Sequence, residues 1–268
     1  MSSVKSLTIL GYKSIKELKD FKLEGLNVLI GANGAGKSNF INFFKMLNEM
    51  YEQKLQLHVQ KGGGPDALLY FGRTTTDKMH AEIYFGNNGY KFDLSPTADN
   101  RIIFESERSW FGGFYYSSTY SKLLGAGHEE SKLKDATDSY SPYVRESLRN
   151  WRIYHFHDTS DTAKVKQKHQ SNDNLRLKID ASNLAAYLKM LSEKYPSEYL
   201  RIIETIRLVA PFFGDFVHRD GDLIELEWNQ VGKPDTPFKA HILSDGTLRF
   251  ICLMTLLLQP VSLLPDTI

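Results

Sequence analysis

The sequence is poor in cysteine, with Cys252 as the only one among 268 residues. A single thiol excludes an internal disulfide and a zinc site built from cysteines, so we expect a protein of the reducing cytoplasm. We expect no signal peptide, because the N-terminus has scattered lysines and no apolar core before a small-residue cleavage site. The most apolar stretch, residues 250–264, is broken by Gln259 and Pro260 and is too short to span a bilayer. A soluble protein without a membrane partner is expected.

An excess of charge of either sign is also missing, since 33 basic and 32 acidic residues leave a formal net charge of +1. Contact with DNA would therefore need a local basic patch. The densest basic region has acidic neighbours, so it is open to two interpretations, a surface that follows a DNA backbone or an ordinary solvated face. Its basic residues are Arg145, Arg149, Arg152, Lys164, Lys166, Lys168, Arg176 and Lys178.

Sustained heptad repeats are missing between residues 38 and 244, which argues against a long coiled-coil arm. The chain is 41% hydrophobic and 12% aromatic, which is enough for the core of one large α/β domain. Apolar alternation and turn residues predict strands over 4–10, 21–23, 26–30, 80–85, 90–94, 101–105, 152–157, 216–219, 223–228 and 238–242. Helical spacing predicts helices over 37–54, 142–151, 180–195, 197–209 and 244–258. Residues 106–141 show no period, and we expect a loop or an irregular lobe there.

The string GANGAGKSN contains a phosphate-binding motif, G-x-x-x-x-G-K-[ST]. Its glycines let successive backbone N–H groups turn inward around phosphate oxygens, and the strand before it and the helix after it are the flanks that such a loop requires. Lys37 is expected to reach the β- and γ-phosphates, and Ser38 to ligate Mg²⁺. The nucleotide-binding residues predicted from this loop are Gly31, Asn33, Gly34, Ala35, Gly36, Lys37, Ser38 and Asn39.

The base is expected to be adenine. A GTPase would carry an N-K-x-D motif that reads guanine and a D-x-x-G switch, and neither occurs in the sequence. The expected ligands are therefore ATP and Mg²⁺.

A second string, LSDGTLRF at 243–250, places a serine and a glycine just before an apolar helix. Ser244 is a good N-cap, and its hydroxyl, the Gly246 N–H and the helix N-terminus together form another set of donors for phosphate. Taken alone, a capped core helix explains this string equally well. Its interpretation as a phosphate site depends on the P-loop.

Together the two strings resemble the ABC ATPase family, and most closely its RecF-like and SMC-like branch, whose motifs are G-x-N-G-x-G-K-S-N and L-S-x-G. The opening stretch 12–40 also looks like the start of these proteins. WRIYHFHDTSD, DASNLAAYL and LSDGTLRFICLMTLLLQP look still closer to stand-alone bacterial predicted ATPases, some of them found in anti-phage systems. The residues that match the two motifs are Asn33, Gly34, Gly36, Lys37, Ser38 and Asn39, and Leu243, Ser244 and Gly246.

The resemblance implies an α/β fold, an ABC-type head with a mixed central sheet, an antiparallel β lobe and a helical lobe. It divides one domain, 1–268, into the P-loop strand and helix (1–60), the β lobe with a variable insertion (61–141), the helical lobe with a hairpin (142–242) and the signature helix (243–268). A compact RecF-like head is expected.

In the family, two ATP molecules lie between two heads, each held by the P-loop of one subunit and the signature of the other. The resemblance therefore implies a homodimer formed through ATP, with Ser244, Asp245 and Gly246 acting in trans. Asp245 departs from the glycine that many members have, and a carboxylate near phosphate costs Coulomb energy unless it points away. Thr247 also departs from the more polar or acidic residue common there.

Hydrolysis in the family needs a Walker B strand that ends in Asp and Glu. The chain ends at LLPDTI, where that strand is expected to begin, and Asp266 is not its substitute. We therefore expect a chain truncated before Walker B that binds ATP but hydrolyses it poorly alone. The resemblance implies a place near Mg²⁺ and water, the Q-loop, for His157 or Asp158. Alternatively, His155, His157 and Asp158 are metal ligands or simply a polar strand end.

Two functions remain open. The first is an ATPase that acts as a dimerising switch on DNA or on an effector protein, a nuclease or another, in genome maintenance or phage defence. The second is a scaffold or regulatory subunit that binds ATP without hydrolysing it.

Overall fold

In the computed structural model, which describes residues 4–112, 120–149 and 151–265, six strands of the first part of the chain form one sheet. Their spatial order is β2-β1-β3-β4-β5-β6, and each neighbouring pair is antiparallel. The strands are β1 (Ser6–Tyr12), β2 (Ile15–Lys22), β3 (Met79–Phe85), β4 (Asn88–Pro96), β5 (Ile102–Phe111) and β6 (Tyr120–Gly125). Strands that are consecutive in the chain are neighbours in the sheet, except that β3 pairs with β1 and not with β2.

Strict alternation of apolar and polar residues explains the centre of this sheet. In β3 the buried residues are the first, third, fifth and seventh, as expected when one face of a strand lies on a core. Phe85 pairs with Asn88 across a tight turn in which Gly86 has a positive φ of 81°. The predicted hairpin over 80–85 and 90–94 is confirmed, and the predicted third strand at 101–105 is the start of the longer β5.

Four helices accompany the sheet, α1 (Lys37–Tyr51), α2 (Leu55–Lys61), α3 (Pro65–Leu68) and α4 (Ser141–Arg149). Phe43, Met46, Leu47 and Met50 lie on one face of α1 at helical spacing and are buried in the core formed with the sheet. Burial of each such side chain contributes about 1.5–3 kcal/mol. This core holds the middle and the end of α1 against the sheet.

The contacts divide the chain into two compact units, the second being Tyr154–Pro265. It contains the helices α5 (Leu184–Lys194), α6 (Pro196–Val209) and α7 (Asp245–Leu258). Its strands are β7 (His169–Gln170), β8 (Phe213–Val217), β9 (Leu223–Ile224), β10 (Glu227–Gln230) and β11 (Lys233–Lys239). They form two small antiparallel sheets, β11-β10-β8 and β7-β9. Trp228 is buried at their core and stacks on Phe213, with ring centroids 5.6 Å apart.

The predicted strand at 26–30 is wrong. The chain leaves the sheet after Leu23, whose N–H still donates to Lys5 O at 3.0 Å. Val28 and Ile30 are 70% and 91% exposed. A strand needs a neighbour for its N–H and C=O groups, and no strand in the described residues pairs with 26–30.

The predicted strand at 152–157 is also irregular in the structure. Within this stretch the His155 N–H donates to Ile179 O at 2.8 Å, but residues 152–157 do not form the regular ladder of backbone hydrogen bonds that defines a strand. The predicted mixed sheet is not observed either, since every strand pair within the described residues is antiparallel. Residues 266–268, at the expected start of a further strand, lie outside the described part of the chain.

Three boundaries also differ. The predicted helix 37–54 ends at Tyr51, and α2 follows it as a separate helix. Residues 106–141 are partly regular, because β5 continues into them and β6 follows. The helix predicted from residue 180 begins at Leu184 and is preceded by Asn183. The Asp180 carboxylate instead accepts a bond from the Ser182 N–H at 3.1 Å, which forms a local turn that competes with the helix.

The other three predicted helices are confirmed as α4, α6 and α7. The hairpin expected at 216–228 is partly confirmed. Trp228 of β10 pairs with Phe216 of β8, whereas the intervening β9 pairs with β7. The strand predicted at 238–242 lies earlier, as β11, and Ala240–Ile242 form a short 3-10 helix. None of the helices in the described ranges has the length and apolarity needed to cross a bilayer.

Candidate nucleotide-binding site

The loop before α1 has the backbone conformation that its glycines permit. Gly34 and Gly36 have φ angles of 84° and 90°, in the left-handed region that residues with a Cβ rarely adopt. A Cβ on Gly36 would also lie 2.9 Å from Ser14 Oγ, whereas one on Gly34 would meet no atom within 4 Å. Gly36 is therefore required both by its conformation and by a close neighbour.

The N-terminus of α1 is left without a side-chain cap. Gly36 precedes the helix and accepts the first intrahelical bond, from Phe40 N–H at 2.9 Å, but it has no side chain to satisfy the other N–H groups. The first turn carries no acidic residue. These free donors and the positive end of the helix dipole favour an anion at this position.

The ammonium of Lys37 folds back over the loop. Its Nζ donates to Gly31 O at 2.7 Å and to Ala32 O at 2.8 Å. An ammonium has three N–H donors, so these two bonds leave one for a phosphate oxygen. The lysine is thus held in place by the loop it serves.

The donor set fits the triphosphate and Mg²⁺ that the sequence predicts. The backbone N–H groups and the Lys37 ammonium are complementary to phosphate oxygens, and Ser38 presents an exposed hydroxyl, the hard oxygen ligand that Mg²⁺ prefers. No carboxylate in the first turn of α1 opposes the phosphate charge. Within the loop, the structure brings the Lys37 ammonium against Gly31 and Ala32, and binding of a nucleotide by these residues stays a prediction.

Ser14 lies outside both sequence motifs. This residue lies in the turn between β1 and β2, and its Oγ accepts a bond from Asn39 Nδ2 at 2.8 Å. The bond ties that turn to the first residues of α1. Ser14 and Asn39 both lie in the stretch 12–40, which looks like the start of RecF-like and SMC-like proteins. Their contact, however, depends on how the β1–β2 turn folds against α1, which the sequence alone does not show.

The second motif forms a capped helix start. Ser244 precedes α7, and its Oγ accepts from the Thr247 N–H at 3.2 Å. Ser244, Asp245 and Gly246 are exposed. Asp245 lies in the first turn of α7, where the helix dipole stabilises a negative charge. This geometry agrees with the interpretation of the string as the start of a capped helix. Binding of a second subunit's ATP by these residues stays a prediction.

The segment with His157 and Asp158 is linked to the same helix. Arg249 of α7 donates through Nη2 to His157 O at 2.8 Å and to Thr159 Oγ1 at 3.2 Å. Hydrogen bonds from the Ser160 hydroxyl and N–H lower the pKa of the Asp158 carboxyl. His155 and His157 are exposed, and no cluster of three His, Cys, Asp or Glu in the described part of the chain is arranged for a metal ion. The metal-ligand alternative for these residues thus finds no support there.

Much of the basic region is paired with acceptors. Lys164 lies 3.2 Å from Asp180, and Lys178 pairs with Asp173. Arg145 donates to the carbonyls of residues 134 and 136. These contacts favour the solvated-face interpretation over a surface that follows DNA.

The comparison with known protein families agrees with the geometry of the loop. Residues 26–264 match a family of P-loop ATPase domains whose description is "AAA domain, putative AbiEii toxin, Type IV TA system". The chain belongs to this family, which supports nucleotide binding and ATPase activity.

A curated relative shows a more local similarity. The chain is 31% identical over 105 residues to "Urease accessory protein 2" of Cryptococcus neoformans var. grubii serotype A. The aligned part covers 37% of this chain and 8% of that protein. The chain thus spans only a small part of this relative's length.

Proposed function

We propose that this chain binds ATP with Mg²⁺ on the loop 31–39 and acts as a nucleotide-dependent switch of RecF/SMC type. One observation carries the proposal. The Lys37 ammonium is held by Gly31 O and Ala32 O beside an uncapped helix start, in a chain that belongs to an AAA family. Loss of ATP binding on replacement of Lys37 by alanine tests it.

Each residue of the loop has a separate part in this binding. The backbone N–H groups of the first turn of α1 donate to phosphate oxygens, and Lys37 offsets their charge. The Ser38 hydroxyl would hold Mg²⁺, which would offset phosphate charge when bound. Gly34 and Gly36 supply the curvature that turns the backbone donors toward one point.

The exposed start of α7 is the second part of the proposal. Ser244 and Gly246 would bind the phosphates of an ATP held by a second copy of the chain, so that ATP holds a homodimer together. The exposure of this helix start supports the idea. The Asp245 carboxylate would then have to point away from the phosphates, because like charges repel.

Dimerisation through ATP can be tested by measuring association of the chain in solution. In sedimentation velocity, the wild-type chain should associate in the presence of ATP and Mg²⁺, and the Ser244→Arg variant should stay monomeric because its side chain blocks the exposed helix start. Ser197→Arg is a matched control, since Ser197 is also an exposed serine at the start of a helix, and this variant should still associate. A wild-type chain that remains monomeric at saturating ATP would refute the trans arrangement.

We also infer that the switch acts on a partner, DNA or an effector protein such as a nuclease, in genome maintenance or phage defence. The description of the family includes a toxin of a type IV toxin–antitoxin system, which supports an effector role. The pairing of basic residues with carboxylates makes an effector protein the better-supported partner. Association that requires ATP but shows no turnover would instead indicate a nucleotide-dependent scaffold.

A further inference from the structure

A cavity of about 880 Å³ opens beside the P-loop within the first unit of the chain. This cavity is wide open to solvent. The residues that matter for its chemistry are Lys13, Ser14, Asn39, Asp66, Tyr70 and Phe71. The family comparison and the phosphate-binding motif assign no role to Asp66, Tyr70 or Phe71.

One wall of the cavity is shared with the phosphate-binding loop. Ser14 and Asn39 line it, and they are joined by the hydrogen bond that ties the β1–β2 turn to α1. Ser14 Oγ is also the atom that a Cβ on Gly36 would meet at 2.9 Å. The cavity therefore adjoins the first turn of α1, where the phosphates are proposed to bind.

The segment after α3 also lines the cavity, and backbone bonds fix it to the β1–β2 turn. Lys13 N–H donates to Leu68 O at 2.9 Å, and Tyr70 N–H donates to Gly11 O at 3.0 Å. Lys13 and Phe71 have φ angles of 48° and 53°, in the left-handed region that is unfavourable for a residue with a Cβ. Two strained residues on the walls of one cavity are typical of a binding site, where the surrounding structure maintains the strain.

Phe71 presents its ring to solvent in a defined orientation. It is 75% exposed, and its ring lies perpendicular to that of Tyr70, with centroids 4.6 Å apart. An aromatic ring held in this way is a platform on which a nucleobase can stack.

The charges of the cavity complement a nucleoside joined to phosphates. The Lys13 ammonium lies 5.8 Å from the centre of the Tyr12 ring, and its pKa is lowered by burial and by the charge of Lys45. An anion beside Lys13 would relieve that unfavourable environment. Asp66 is oriented by Arg73, whose backbone N–H and Nε donate to it at 2.9 Å and 3.0 Å, and its carboxylate can accept from a ribose hydroxyl or a base amino group.

We propose that this cavity holds the nucleoside part of the bound nucleotide, with the base stacked on Phe71, Lys13 near the phosphates and Asp66 accepting a hydrogen bond from the nucleoside. The proposal rests on the proposed function, because it takes the phosphates to lie on the loop 31–39. It deepens that function by assigning recognition of the base and sugar to residues 66–71, which are distant from the phosphate motif in sequence.

Calorimetric titrations with ATP and with inorganic tripolyphosphate, both with Mg²⁺, separate the two parts of the site. Phe71→Ala should weaken ATP binding roughly tenfold, the size of a lost base-stacking contact, and leave tripolyphosphate binding unchanged. Phe71→Trp keeps an aromatic face and should bind ATP as the wild type does. Tyr143→Ala removes another exposed aromatic ring, 61% exposed and outside the cavity, and should alter neither titration.

The outcomes distinguish this proposal from the one on which it rests. If Phe71→Ala binds ATP as the wild type does while Lys37→Ala loses both ligands, the nucleoside site is wrong and the phosphate site stands. If Phe71→Ala loses tripolyphosphate as well, Phe71 supports the structure of the loop and the nucleoside site is again overturned. If Lys37→Ala binds both ligands normally, the proposed function itself fails.

Discussion

Replacement of Lys37 by alanine should weaken ATP binding about a hundredfold, which corresponds to roughly 3 kcal/mol, the upper range for a hydrogen bond to a charged group. The ammonium is the single side-chain cation that the described loop 31–39 offers to a triphosphate. Gly31 O and Ala32 O hold it in place before the ligand arrives, so little is lost to ordering the side chain. Its removal leaves the phosphate charge facing only backbone N–H groups.

Titration of a fluorescent ATP analogue into the wild-type and variant chains measures this effect. Lys61→Ala is a suitable control, because Lys61 is an exposed lysine at the end of α2 and should not affect binding. Thermal unfolding monitored by circular dichroism should show similar midpoints for all three chains. Equal affinity of Lys37→Ala and wild type, with both folded, would contradict the phosphate site.

Alanine at Gly36 should have the second-largest effect, because two costs coincide there. A left-handed conformation costs a residue with a Cβ about 1–2 kcal/mol, and the new Cβ would also lie 2.9 Å from Ser14 Oγ. Either the loop changes its curvature or Ser14 moves and its bond with Asn39 breaks. Because both responses displace phosphate donors, we expect ATP affinity to fall at least tenfold, about 1.4 kcal/mol.

Gly34→Ala is the matched control for this variant. Gly34 has a similar φ, yet a Cβ there would meet no atom within 4 Å, so only the conformational cost applies. Urea unfolding and ATP titration of both variants should show the larger loss for Gly36→Ala in each measurement. A Gly36→Ala chain that binds ATP more tightly than Gly34→Ala would show that the contact with Ser14 has no part in shaping the loop.

Local patterns in the sequence predicted much of the fold. The helix after the P-loop, the β3–β4 hairpin and α7 with its Ser244 cap follow from apolar spacing, turn residues and capping residues within a few positions of each other. The residues proposed to bind phosphate are also contiguous in the chain, so a local motif was enough to propose them.

Features that depend on distant partners were not predictable. Residues 26–30 are apolar enough for a strand, but strand formation requires a neighbour, which the described residues do not provide. Residues 152–157 alternate as a strand would, yet they form no ladder. The cavity wall around Phe71 meets the β1–β2 turn only through backbone bonds between segments far apart in sequence, so no local pattern marked it.

A crystal structure of the chain soaked with ATP and Mg²⁺ would locate the bound nucleotide. We expect electron density for a triphosphate against the backbone of residues 34–39, with the Lys37 ammonium and the Ser38 hydroxyl beside it. An empty loop at saturating ATP, or a nucleotide bound elsewhere on the chain, would contradict this expectation.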